Sequence, residues 1–175
     1  MFRVFAGLLA GVTLAAGVAH AQGGVRTGPS GQPLPRYVSL KSDRVNMRKG
    51  PGTQYPIAWV YRRAGLPVEV INEYENWREV RDAEGATGWV FRPLLSNRRT
   101  AVLLAWKVEK GKPPPTVELK ASSSHRAATV VTVEAGVIAN IRSCDGAWCL
   151  VTIGSYQGHL QQDMLWGVYK KERIR

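Results

Sequence analysis

Displaced by 71 positions, the chain falls on itself. Gly65 meets Gly136, Val70 meets Ile141, Trp77 meets Trp148 and Val80 meets Val151, and a displacement of 70 brings Gly88 onto Gly158. At the front of each unit, Asn46-Met47-Arg48 falls near Glu118-Leu119-Lys120. Matches in the same order with one small gap are not what composition alone produces, so the chain is read as two copies of one small unit. Each copy is about 55–60 residues, large enough to fold yet marginal as a lone hydrophobic core.

Within the first unit, short runs rich in β-branched and aromatic residues alternate with turn residues. They are Tyr37 to Leu40, Val45 to Arg48, Ile57 to Tyr61, Val68 to Tyr74, Trp77 to Arg81 and Trp89 to Phe91. No helix-length window sustains a 3.6-residue period, which makes the chain all-β, as sandwiches or small barrels. Alternation turns Val45 and Met47 inward and Asn46 and Arg48 outward. Gly50-Pro51-Gly52 joins a fixed φ to two unrestricted ones and predicts a tight reversal. Trp77, Trp89 and Trp148 each carry a large apolar area beside a core valine or its equivalent and are expected in the core.

The ends and joints read differently. Residues 1–21 have one cation at Arg3, an apolar stretch from Val4 to Val18 and then Ala19-His20-Ala21, the anatomy of a cleaved signal peptide. Residues 22–35, rich in Gly, Pro, Gln and Ser, are expected to be a flexible spacer. The first unit then spans 36–97, a connecting segment 98–115, the second unit 116–168 and a basic tail 169–175, expected to be frayed. In the connector, Ala101 to Val108 is too apolar for a solvated linker and is expected to form a strand or packed segment that ties the units together. Gly111-Lys112-Pro113-Pro114-Pro115 is extended and stiff, as a spacer or as a docking motif.

Charge narrows the partners. The chain is net +11, and losing Arg3 with the signal peptide leaves +10. A basic exported, periplasmic protein is attracted to lipid phosphates, lipopolysaccharide and peptidoglycan carboxylates, with weak attraction to anionic membrane surfaces, although charge that serves only solubility is the competing reading. Nucleic acid fits the charge, but export removes it as a partner.

The two cysteines of the chain are Cys144 and Cys149. They flank Asp145-Gly146, a strong hairpin signal between two strand-like runs, so their sulfurs should meet across neighbouring strands. In an oxidising compartment that pair is expected to be a disulfide, with Cα atoms about 4.4–6.8 Å apart. The spacing is not the Cys-x-x-Cys of redox-active pairs.

Val45-Asn46-Met47-Arg48-Lys49-Gly50-Pro51-Gly52-Thr53-Gln54-Tyr55-Pro56 resembles the opening of bacterial SH3 domains. The likeness continues through Arg63-Ala64-Gly65-Leu66-Pro67-Val68, then Glu75-Asn76-Trp77-Arg78-Glu79-Val80 and Thr87-Gly88-Trp89-Val90. The second unit departs from the pattern: Ala121-Ser122-Ser123-Ser124 replaces the Gly-Pro turn and Gly158-His159-Leu160 replaces Gly-Trp-Val. The two-unit layout with its Cys-Asp-Gly-x-Trp-Cys hairpin is similar to exported SH3-like proteins of alphaproteobacteria. The resemblance implies two tandem SH3-like open barrels, the second diverged, that bind something in the envelope.

The expected ligand is peptidoglycan peptide or an envelope protein. The candidate ligand-binding residues are Arg48, Tyr55, Trp59, Tyr61, Arg62 and Tyr74, aromatic faces for stacking and arginines for stem-peptide carboxylates. If Ile57, Trp59 and Tyr61 share a face, barrel core is the other reading for them. The alternative function is a structural accessory docking on a periplasmic protein. No enzyme, cofactor or metal site is expected. His20 lies in the signal peptide, His125 in a Ser-rich turn and His159 in the diverged Gly-x-Leu element. Cys149 is better explained by its disulfide than as a nucleophile, and the carboxylates sit at no acid/base spacing.

Overall fold

The computed structural model describes residues 26–175, so the signal peptide expected at 1–21 lies outside the described residues, as does the spacer's start. The strands are β1 (Arg26–Thr27), β2 (Pro33–Leu34), β3 (Arg36–Leu40), β4 (Val45–Arg48), β5 (Ile57–Tyr61), β6 (Pro67–Tyr74), β7 (Trp77–Arg81), β8 (Thr87–Phe91) and β9 (Leu95–Ser96). They continue as β10 (Thr100–Leu103), β11 (Thr116–Lys120), β12 (Thr129–Glu134), β13 (Ile138–Asp145), β14 (Trp148–Ile153), β15 (Tyr156–Gln161), β16 (Leu165–Trp166) and β17 (Arg173–Ile174). Apart from the β1–β2 hairpin they form two antiparallel sheets with one connectivity. The first runs β5-β4-β8-β7-β6-β3-β9 and the second β12-β11-β15-β14-β13-β10-β16. The architecture is all-β, two tandem SH3-like units.

The repeat extends to irregularities. The β6–β7 ladder shifts register between Val70 and Asn72, and the β13–β14 ladder between Ile141 and Ser143. A Cβ on Gly88 would lie 2.8 Å from the Arg48 carbonyl oxygen, and one on Gly158 2.7 Å from that of Lys120. These glycines let β8 close onto β4, and β15 onto β11, at a distance no side chain permits.

Each barrel has its own core. Val45, Val68, Val70, Val80 and Val90 are fully buried in the first, with Met47 beside them, and Ala101, Leu103, Leu119, Val151 and Leu160 fill the second. Along β7 and β8 the alternation is strict: Arg78 and Val80, then Gly88 and Val90, point inward. Trp77 and Trp89 therefore stand on the outer face, half-buried, as does Trp148 in β14. All three were expected in the core. The register set by the small valines overrides the preference of a large ring for the interior.

Three stretches differ from the expected division of the chain. The apolar run at Ala101 does form a strand, but it belongs to the second barrel rather than to a connector: β10 is that barrel's first strand, paired to β13 and β16 as β3 is to β6 and β9. The barrels are thus joined by only a few residues around Arg98, and the proline-rich stretch is a loop inside the second barrel. In the expected spacer, β1 and β2 pair, and Leu34 is buried in the first core. The expected frayed tail folds back instead. Glu172 accepts from both Arg99 terminal nitrogens, at 2.7 and 2.9 Å, and β17 pairs with β13 beside Cys144. One acid within a basic run, and the free edge of β13 beyond the end of β10, hold it there.

Cys144 and Cys149 are joined in a disulfide, as expected, with a Cα separation of 4.1 Å, slightly below the expected range. A loop this short stabilises by about 2 kcal/mol. Under the 71-residue displacement their counterparts are Glu73 and Arg78, also paired across neighbouring strands. Where the second barrel has a covalent bridge, the first has a buried ion pair. Glu73 Oε1 lies 2.8 Å from Arg36 and 3.1 Å from Arg78, and Ser30 donates to it through its hydroxyl (2.7 Å), while the Ser30 backbone N–H donates to Oε2 (2.8 Å).

The seam between the barrels is polar and aromatic. Thr100 Oγ1 donates to the Gly65 carbonyl at 2.8 Å, and Arg63 donates to that of Gly136 at 3.1 Å. The Tyr37 ring meets the edge of Trp166 and the ring of Tyr169, whose hydroxyl donates to Glu69 at 2.9 Å. Burial, and then the Glu69 charge, push the Tyr169 phenol far above its ordinary pKa, so it stays a donor at any physiological pH.

Candidate functional site

Directly opposed residues of antiparallel strands share a face, so the register of β6, β7, β8 and β4 defines what the first barrel presents outward. Tyr74 lies opposite Trp77, Trp77 opposite Phe91, Glu79 opposite Trp89, and Trp89 opposite Arg48. The result is a strip across four strands with Tyr74, Trp77 and Phe91 in one row and Glu79, Trp89 and Arg48 in the next. Tyr74 is 53% exposed and Phe91 39%, and the Trp77 and Phe91 rings pack with centroids 5.4 Å apart.

The loop after β4 extends the strip. Arg48 Nη1 donates to the carbonyls of Thr53 (3.0 Å) and Tyr55 (2.7 Å), clamping the reversal at Gly50-Pro51-Gly52. The Tyr55 ring lies against Gly50, where a Cβ would collide with it, and is 40% exposed. Arg48 therefore positions Tyr55 as well as offering its remaining N–H groups outward.

The other three residues singled out from sequence lie elsewhere. Tyr61 is core: 6% exposed, it donates to Asp82 at 3.0 Å, and burial followed by the Asp82 charge raises its pKa far above the ordinary phenol range. β5 turns inward at its end, so the Tyr61 side chain does not share the outer face with Tyr55 and Arg48. Trp59, Tyr61 and Arg62 line a separate cleft of about 280 Å³ between the barrels, with Val102 and Trp166 from the second. The structure thus brings Arg48, Tyr55 and Tyr74 together and leaves Trp59, Tyr61 and Arg62 apart from them. Phe91 was missed, and Trp77 and Trp89 were assigned to the interior. With Val80 and Val90 inward, alternation alone puts all three outside.

The second barrel does not repeat the strip. Its equivalent face carries Trp148 opposite Gln161, and His159 opposite Leu150 and Lys120. The one indole of that row has the His125 ring edge-on against it, centroids 5.1 Å apart. Cys149, the sulfur nearest a histidine in sequence, is fully buried and spent in the disulfide. Among the described residues, no group of three or more His, Cys, Asp or Glu is placed to hold a metal ion, and no helix is long and apolar enough to cross a membrane.

Two tandem sheets of one topology, each closing through a glycine onto its second strand, match the bacterial SH3 domain profile at residues 41–97 and again at 115–167. The chain belongs to the bacterial SH3 domain family. Both matched segments start one strand into the barrel, after β3 and after β10. Among solved structures this SH3 pair is similar to NlpC2 from Trichomonas vaginalis, at 14% identity over 75% of this chain and 48% of that one, with a TM-score of 0.33. It is similar to NlpC1 from the same organism, at 15% identity over 81% and 48%, with a TM-score of 0.33. An NlpC/P60 family protein from Bacillus cereus ATCC 10987 matches at 13% identity over 74% and 55%, with a TM-score of 0.32. The chain spans about half the length of each, and likenesses this distant carry no argument about its activity. No curated protein matches it.

Proposed function

We propose that this SH3 pair is a non-catalytic, periplasmic binding protein whose first barrel holds peptidoglycan along the strip from Tyr55 and Arg48 through Trp89, Phe91 and Trp77 to Tyr74. The observation that carries the reading is the strip itself: aromatic rings standing in adjacent rows on an outer sheet face, where burial in a core does not account for them. Flat rings of this kind cover the apolar face of a sugar or an extended peptide, and Arg48 supplies donors for a carboxylate. The second barrel then serves as a support, held to the first through the seam at Gly65, Tyr37 and Glu69.

A protein partner is the second reading, supported by exposed Ile57 and Trp59 on β5, an edge strand of its sheet and hence open to another chain.

Sedimentation of the chain from Gln22 to Arg175 with purified sacculi across a salt series separates the readings. Wall binding through the strip survives moderate salt. Trp89→Ala and Phe91→Ala each weaken it about tenfold, equivalent to roughly 1.4 kcal/mol, and Trp148→Ala leaves it unchanged. Binding that salt abolishes and that ignores Trp89→Ala is charge attraction alone, and it returns the function to a protein partner.

A further inference from the structure

At the base of the first barrel, where the β1–β2 hairpin packs on it, an open pocket of about 580 Å³ is lined by Ser30, Arg36, Lys41, Arg78, Arg92 and Asn97 among others. Four of these are cations, and no carboxylate lines the pocket with them. Glu73 behind them pairs with Arg36 and Arg78 and offsets one charge, which leaves three. The side chain of Arg78 is 6% exposed. Its Nε lies 3.1 Å from Glu73 Oε1 without forming a hydrogen bond, and neither it nor the Nε of Arg36 has an acceptor among the described residues.

Arg78 Nη1 donates to the carbonyls of Glu75 (3.0 Å) and Trp77 (2.8 Å), and Arg36 donates to Pro33 and Glu73, so both guanidiniums are held in place. Four cations crowded around one carboxylate repel one another. Burial lowers the pKa of Arg78, and Arg36 and Arg92 push it the same way against the pull of Glu73. The pocket thus gathers three uncompensated positive charges over a fixed floor. Arginine forks match the oxygens of carboxylate and phosphate alike. A single carboxylate leaves two of the three charges facing each other, whereas a phosphate monoester brings a charge of about −1.5 to −2 and three acceptor oxygens.

We propose that this pocket is a binding site for a phosphate group, carried by a soluble phosphate ester or by an anionic lipid headgroup. It stands apart from the aromatic strip and does not depend on it. Arg36 and Arg78, fixed by Glu73, form its rigid floor, and Lys41 and Arg92 close on the ligand from the exposed rim.

Calorimetric titration of the chain from Gln22 to Arg175 with inorganic phosphate at low salt tests the site, with flotation on phosphatidylcholine vesicles with and without phosphatidic acid alongside. Saturable phosphate binding is expected, weakened at least tenfold by Lys41→Ala with Arg92→Ala and less than twofold by Lys110→Ala with Lys112→Ala, which removes the same charge from the second barrel. Flotation only with phosphatidic acid, lost in the first double variant, assigns the phosphate to a lipid. Phosphate binding without flotation assigns it to a soluble ester. Equal losses in the two double variants, or no saturable phosphate binding, overturn the proposal. Trp89→Ala, which fails on sacculi if the strip binds them, leaves phosphate binding intact.

Discussion

Glu73→Ala is expected to destabilise the protein by about 3–5 kcal/mol, because it leaves the charges of Arg36 and Arg78 buried without their partner. The carboxylate is almost inaccessible and accepts from Ser30 and Arg36 while facing Arg78, so its removal takes away the one negative charge that pairs with both guanidiniums. Burial alone would raise its pKa. The hydrogen bonds from Ser30 and Arg36 and the charge of Arg78 outweigh burial and hold it below the ordinary carboxylate range. A group whose folded pKa is depressed stabilises above its unfolded value and loses that contribution as pH falls through the folded one. The stability gap between Glu73→Gln and the parent, measured by urea unfolding, should therefore be constant from neutral pH to about pH 4.5 and shrink below that. A gap that widens on acidification contradicts the assignment. The β1–β2 hairpin, tied down through Ser30, should lose its protection from amide exchange in the same variant.

Gly167→Ala is expected to cost about 3 kcal/mol or more, read from the same unfolding curves. Gly167 follows β16 at φ 124°, a conformation other residues rarely adopt, and a Cβ there would run into the Thr100 carbonyl oxygen and lie 2.9 Å from Ala101 Cα. Backbone strain and collision with a fixed strand each contribute about 1–3 kcal/mol. The damage falls on the seam, because Gly167 accepts from Arg99 and leads into Tyr169, which reaches Glu69 of the first barrel. Gly85→Ala serves as the comparison: its φ is 85° but nothing crowds the added methyl, so only the strain remains.

These positions also mark where sequence reasoning reached and where it stopped. The repeat, the bacterial SH3 motif and the hairpin disulfide were legible because each rests on local chemistry: glycines at turns, Asp145-Gly146 between apolar runs, two cysteines with one partner each. The boundary of the second barrel was not legible. Ala101-Val102-Leu103 stands where the first unit has Val38-Ser39-Leu40 and shares only the closing leucine with it, and the long proline-bearing loop separates it from the recognisable part of its unit. The hairpin at Arg26 to Leu34 was hidden by its composition, since it is held by one apolar side chain, Leu34, sunk into the first core and by Glu73 of a distant strand rather than by a pattern within the hairpin. Glu73 and Arg78 aligned with Cys144 and Cys149 under the displacement already in hand, yet an ion pair and a disulfide share no chemistry that a comparison of letters detects. The strip was half legible. Tyr55, Arg48 and Tyr74 stood out as exposed aromatics and cations, but Trp77 and Trp89 were placed by size when the alternation around Val80 and Val90 decides their side.

The six tryptophans of the chain give the central claim its most direct test. Their indole N–H signals, resolved by nitrogen-labelled NMR and assigned by single substitutions, can be followed while a soluble peptidoglycan fragment carrying glycan and stem peptide is titrated in. Wall recognition by the first barrel predicts that Trp77 and Trp89 shift together and saturate at one ligand concentration, with Trp148 and Trp106 unmoved. Saturable shifts confined to Trp59 and Trp166 would place the ligand in the cleft between the barrels and contradict the strip.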